Sequence, residues 1–347
     1  MKSIKVLFFA FLITAACKNT ENKPAKTNVE ESFQTDFTIA FGSCNNQNKE
    51  NHFWKEILKS NPHVWLWGGD IIYSDTYEME LLQKNYTIQK ENESYADFAS
   101  KIEIMGTWDD HDYGINDGGT EYPKKAESQQ LFLDFLDVPK NSSRRQRPGV
   151  YHSKTFVVGE NAVKVFVLDT RYFRTSLTKN DDGTYKRYKP NTYGEGTILG
   201  EAQWTWLEKE LKNSTANFNV ILSSIQVLSG EHGWETWGNM PHEVDKLTDL
   251  LKSTKAKNTI LLSGDRHISD FSKKTVDGLS YPLIDFTSSG LTHSSTNNLG
   301  EDNKYRIGNL VNQQSFGILK FDLNSNVVLM EMRGSNNEVQ QSIKEQY

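Results

Sequence analysis

An α/β domain with buried sheets is expected from three features of this chain. Short all-apolar runs alternate with helical patterns from Phe37 onward, several of those runs lack a polar face, and chemically capable residues recur just past their ends. In order, "FTIAFGSC" reads as a strand closing on a glycine turn. "HFWKEILKS" has apolar residues at 53, 54, 57 and 58, a helical spacing. "HVWLWGGD" is a second buried strand that ends in glycines. "KIEIMGTW", "KTFVVG", "VKVFVLDT", "FNVILSSIQVL", "NTILLSGD", "YPLIDFTSS" and "FGILKFDL" supply further strands, and "GEAQWTWLEKELKNS" and "PHEVDKLTDLLKST" read as amphipathic helices. The folded part is expected to span 37–333, with 334–347 a polar C-terminal tail free to fray.

Composition narrows the function. The 347 residues are 36% hydrophobic and 12% aromatic with 8 Trp, too rich in large apolar groups for a disordered chain. No apolar run approaches the roughly 20 residues of a spanning helix, which excludes a polytopic membrane protein. A net charge of -6 and the lack of any basic block argue against duplex nucleic acid. A small phosphate ester is compatible, because metals can supply the positive charge.

The N-terminus reads as an export signal over 1–16: Lys2 and Lys5, an apolar run from Val6 to Ile13, then Ala15 and Ala16 before Cys17. Ending small-small-Cys, it resembles a bacterial lipoprotein signal. That implies a lipid on Cys17, a polar tether over 17–36, and a place in the cell envelope, at the periplasm or cell surface, with the lipid as the only membrane contact. The alternative is an ordinary cleaved signal. The chain has 2 Cys, so a lipidated Cys17 leaves Cys44 without an intrachain partner, either as a small buried core residue or as a thiolate metal ligand.

Polar residues cluster past strand ends, where sites assemble in α/β sheets. In "WLWGGDIIYSDT" the glycines place Asp70 at a strand end, where its two oxygens can bridge two cations, and Tyr73 offers a phenolate. "MGTWDDHDYGINDGG" puts Asp109, Asp110, His111, Asp112 and Asp117 within nine positions; such carboxylates repel unless cations compensate them. In "NTILLSGDRHISDF" Asp265 and His267 are one residue apart and share a face if extended. In "VFVLDTRYFR" Asp169 can fix Arg171, which then either meets a phosphate or forms a structural salt bridge. Neither a Gly-x-Ser-x-Gly elbow nor a Walker-type phosphate loop occurs.

The strings "FGSC", "GGDIIYSDT", "WDDHDYGIND", "VLDTRYFR", "TILGEAQWTWLEKEL", "LSSIQVL", "SGDRH" and "SSGLTHS" occur in this order over residues 37 to 323. Together they resemble the alkaline phosphatase D-like family of metallophosphoesterases. The resemblance implies a four-layer α/β/β/α sandwich of two mixed sheets flanked by helices. It also implies hydrolysis of phosphate mono- or diesters outside the cytoplasm by metal-bound hydroxide, for phosphate scavenging. Carried over by motif, it makes Cys44 a thiolate ligand and Asp70 a bridging carboxylate beside Tyr73. Asp110 takes the place of a metal-binding Asn, His111 that of the catalytic His, and Asp265 and His267 those of the last metal pair. Fe(3+) is then implied at the thiolate site and Ca(2+), one or two ions or another divalent metal, beside it. Arg171 would contact the substrate phosphate, and Tyr86 is a weaker candidate for the site. Two alternatives stay open: a phosphodiesterase specific for phospholipid headgroups or nucleotides, and a surface lipoprotein that binds a phosphorylated ligand without turnover.

Overall fold

The computed structural model describes residues 33–298 and 300–347; the expected signal, Cys17 and the tether up to residue 32 lie outside them. The first half runs β1 (Phe37–Gly42), α1 (Trp54–Leu58), β2 (Val64–Gly68), α2 (Met79–Glu91), α3 (Glu93–Ala99), β3 (Glu103–Thr107), α4 (Asp110–Tyr113), α5 (Lys125–Phe135), β4 (His152–Val158) and β5 (Asn161–Val167). A small hairpin, β6 (Thr178–Lys179) and β7 (Tyr188–Lys189), leads to α6 (Gly200–Lys212), β8 (Phe218–Leu222), α7 (Pro241–Thr254) and β9 (Thr259–Ser263). The chain ends with β10 (Ser269–Lys274), β11 (Leu283–Ser288), β12 (Arg306–Val311), β13 (Phe316–Asp322), β14 (Val327–Arg333) and β15 (Val339–Gln346).

Among the described residues the strands form two large mixed sheets. One has the order β15-β14-β13-β1-β2-β3, parallel across β1, β2 and β3. The other has the order β12-β10-β11-β9-β8-β5-β4, parallel across β11, β9, β8 and β5. Strand alternation distributes the side chains between layers. In β2, Val64 and Leu66 join the core between the sheets, while Trp65 and Trp67 turn outward against Trp54 of α1, Leu82 of α2, Phe98 of α3 and Phe132 of α5. In β5, Val163, Val165 and Val167 face inward. Phe166 faces outward onto Trp204, Leu207 and Leu211 of α6 and Leu247 and Leu251 of α7. These spacings are the apolar stripes of the two helices, and Pro241 at the first position of α7 suits a helix start. The result is the expected α/β/β/α order, with parallel strands ending at one edge.

Three departures from the sequence reading have physical causes. "FNVILSSIQVL" is a strand only to Leu222. Beyond it the chain leaves the sheet, and the backbone N–H groups of Val227 and Leu228 donate to Asp285 Oδ2 at 2.8 and 2.9 Å. Strands β10, β12, β14 and β15 were not anticipated; β10, β12 and β15 are polar enough to read as loop. The segment expected as a fraying tail instead carries β15, paired antiparallel with β14 from Val339 to Gln346. Its polar residues suit an edge strand with a solvated face, and Ile343 packs on the inter-sheet core. No described helix is long and apolar enough to cross a membrane.

Candidate metal centre

The site grows from strand tips of both sheets. Cys44 follows β1, Asp70 follows β2, Asp110 follows β3, and Asp265 and His267 follow β9. Four of these residues have left-handed backbone: φ is 61° at Cys44, 50° at Asp70, 70° at Asp265 and 55° at His267. Such conformations cost about 1–3 kcal/mol each for non-glycine residues and persist only where the surroundings impose them. Here the backbone N–H of Asn45 donates to Asp70 O at 2.8 Å, and that of His267 to Ser289 Oγ at 2.8 Å. Gly264 lets the sheets meet: a Cβ there would lie 2.5 Å from Ser43 Oγ and 2.7 Å from Gly68 O.

Around these tips the donors converge. Cys44 Sγ lies 3.4 Å from Asp70 Oδ2 and 3.1 Å from Ser289 Oγ. Tyr73 Oη donates to Asp70 Oδ2 at 3.1 Å and sits 3.0 Å from His267 Nε2. Ligand atoms of Cys44, Asp70 and His267 lie within 4.8 Å of one another, as do those of Asp70, Asp110 and His111, and those of Asp109, Asp110 and Asp265. Asp70 therefore belongs to two neighbouring groups, and its Oδ1 is buried without a hydrogen-bond partner. A thiol, a phenol and an imidazole on one side and carboxylates on the other suit a transition metal beside a harder cation.

The electrostatics fit the same picture. Burial pushes the Asp70 carboxyl up, and Asp110, Asp109 and Asp112 add to it against the opposing pull of His111. Burial and Asp109 likewise raise Asp265, and burial followed by Asp70 raises the Cys44 thiol. Burial holds His267 at about 3, with His293 and Arg266 adding to it, so this imidazole is neutral and fit to ligate. Asp110 is the exception. Burial would raise it, but Arg171, His111 and the backbone N–H groups of Asp117 and His111 outweigh that and keep it below the ordinary carboxylate value. A cation among these acids would remove the repulsion that their packing creates.

His111 stands at the mouth of the site. Its Nδ1 is 2.7 Å from Asp75 Oδ2, and its ring lies 4.3 Å from that of Tyr73. Burial disfavours its charge, but Asp70, Asp75 and Asp110 prevail and push its pKa up to about 11. It lines a cavity of about 460 Å³ together with Asp110, Asp265 and His267.

Two expectations are corrected. Arg171 is fully buried and cannot meet a substrate. Its Nε is 2.5 Å from Asp109 Oδ1 and its Nη1 2.6 Å from Glu235 Oε2. Asp169 does not hold the guanidinium; it accepts from the backbone N–H of Arg171 and Tyr172 and from Trp108 Nε1, each at 2.9 Å. Tyr86 is likewise a core residue, packed on Phe135 and donating to Asp112 O at 3.1 Å. The guanidinium groups in the cavity belong to Arg187 and Arg266. Asp75, Ser289, His293 and Arg187 were not singled out in the sequence. Asp75, Ser289 and His293 lie inside or beside motif strings, and only the folded contacts distinguish them from their neighbours.

Comparison with known proteins settles the family. The family model described as PhoD-like phosphatase matches residues 39–333. The chain belongs to this family. A curated member, alkaline phosphatase D of Bacillus subtilis (strain 168), is 25% identical over 281 residues, covering 69% of this chain and 47% of the relative. The chain thus spans about half the length of that relative. A solved structure of PhoD superposes with a TM-score of 0.72 at 18% identity, over 90% of this chain and 69% of that one. A dimetal phosphatase from Danio rerio shares the fold with a TM-score of 0.54 at 11% identity, over 90% of this chain and 100% of its own. The family match spans every strand tip named above.

Proposed function

We propose that this chain hydrolyses phosphate esters at a centre of two or more cations. One observation carries the reading: a thiol, a phenol, an imidazole and several carboxylates gather around Asp70, whose Oδ2 meets Cys44 and Tyr73 and whose Oδ1 is buried without a partner. Membership in a family named for phosphatases and the likeness to an alkaline phosphatase D support it. Cys44, Asp70, Tyr73 and His267 would hold Fe(3+). Asp70, Asp110 and Asp265 would hold one or two Ca(2+) ions or another divalent cation. Bound there, the cations would lower the pKa of water toward neutrality and draw charge from the phosphate oxygens.

The chain's own residues do the rest. Asp75 fixes His111 through Nδ1 and leaves Nε2 for the substrate, to steady charge on the phosphoryl oxygens or to protonate the departing alkoxide. Arg187, paired with Asp117, and Arg266, paired with Glu301, replace Arg171 as the cavity cations that can meet phosphate. Arg171 keeps Asp109 in place behind the site. In this reading the enzyme works outside the cytoplasm, tethered through a lipid on Cys17, and releases phosphate for uptake; the order of residues 2–17 supports that placement.

Elemental analysis of purified protein, visible absorption, and hydrolysis of model mono- and diesters before and after chelation test the reading together. Iron with a visible band that weakens in Tyr73→Phe, and activity lost on chelation, are expected. Colourless, iron-free and fully active protein would reject the iron assignment. Hydrolysis unchanged in Asp70→Ala and His111→Ala would reject the enzyme and favour a ligand-binding lipoprotein.

A further inference from the structure

The cavity lined by Asp110, His111, Asp265 and His267 is lined as well by two large aromatic side chains, Tyr185 and Trp234. Tyr185 is 69% exposed and Trp234 is 37% exposed. At about 460 Å³ that space exceeds what a phosphoryl group needs and falls in the range of sites that enclose an organic molecule.

The aromatics are carried on two segments that brace each other. The N–H of Tyr188 donates to Gly233 O at 2.8 Å, and Lys186 Nζ donates to Glu231 O at 2.7 Å, so the chain around Tyr185 is tied to the chain around Trp234. The N–H of Trp234 donates to His232 Nδ1 at 3.1 Å, and the Arg266 guanidinium lies 5.1 Å from the Trp234 ring centre. Aromatic rings carried on braced segments yet left partly in water are stabilised when a flat ring covers them. Asn116 and Asn298, also lining the cavity, offer donors and acceptors that a base edge or a sugar hydroxyl can use.

We infer that Tyr185 and Trp234 form a stacking subsite for the leaving group, and that the preferred substrates are nucleoside phosphate esters. This rests on the hydrolytic reading above and specifies its substrate class. The phosphate sits beside Asp110 and Asp265, and the base lies against the two rings.

The test compares a nucleoside 5′-monophosphate with glycerol 2-phosphate in the wild type, Tyr185→Ala, Trp234→Ala and Trp234→Phe. The ratio of kcat/KM for the nucleotide over that for glycerol phosphate should fall about tenfold in each Ala variant and stay near wild type in Trp234→Phe. Equal losses on both substrates would overturn the inference. Free nucleoside binding, followed by equilibrium dialysis, should weaken in both Ala variants; no binding to the wild type would overturn it as well. A wild type that hydrolyses neither ester would reject the hydrolytic reading, and the dialysis result would then decide the subsite alone.

Discussion

Replacing Arg171 with methionine tests whether this residue anchors the site or meets the substrate. The guanidinium is fully buried between Asp109 and Glu235. Removing one partner of a buried ion pair costs about 3–5 kcal/mol, because a charge is left uncompensated. Two carboxylates lose a partner here, yet the cost stays in that range. Ser224 Oγ still donates to Asp109 at 2.8 Å, and Arg174 Nε remains 2.9 Å from Glu235. With an unfolding entropy of about 2.1 cal/mol/K per residue, roughly 300 folded residues give about 0.6 kcal/mol/K, so Tm should fall by about 5–8 °C. Urea denaturation and thermal melts measure this, with KM for a phosphate ester followed in parallel. Adding Asp109→Asn to Arg171→Met should recover part of the loss, since the two are coupled directly. A variant within about 1 kcal/mol of wild type but with KM raised tenfold would refute the reasoning and return Arg171 to the substrate.

Three further outcomes are expected. His111→Ala should lower kcat by about 10²-fold or more in steady-state assays while metal content, read by elemental analysis, is retained. His232 is buried and held at about 3, by burial and then by Arg266. Unfolded it titrates near 6.5, so stability falls as pH drops below that value, by about 1.4 kcal/mol at pH 5.5; His232→Gln should flatten this part of a urea-denaturation series across pH. Gly264→Ala places a methyl against Ser43 and the Gly68 carbonyl. Overpacking of this kind costs about 1–3 kcal/mol, and here it pushes the sheets apart beside Cys44 and Asp265, so the content of the proposed metals should drop along with Tm.

Much of the fold was legible because its parallel strands are buried on both faces. Runs such as "VWLW" and "VFVL" have little other use, and the helices declare themselves through the stripes at Trp204, Leu207 and Leu211 or Leu247 and Leu251. Four antiparallel strands, β10, β12, β14 and β15, were not legible. β10 and β15 carry Ser, Asp, Lys and Gln, and only pairing with a neighbour makes them strands. The candidate donors were readable as types at strand ends, and the structure brings Cys44, Asp70, Tyr73, Asp110, Asp265 and His267 close together. Arg171 misled because a guanidinium near an aspartate in sequence says nothing of depth. Its partners, Asp109 and Glu235, are 62 and 64 positions away.

The two sheets contribute separately to the candidate donor set: Cys44, Asp70 and Asp110 hang from one, Asp265 and His267 from the other. A cation gripped by both halves would therefore act as a rivet through the sandwich as well as a reagent. Occupancy at a hundred times the dissociation constant adds about 2.7 kcal/mol to a folded state that alone can bind. Scarcity of metal during synthesis would then be felt as a looser protein before it was felt as a slower one.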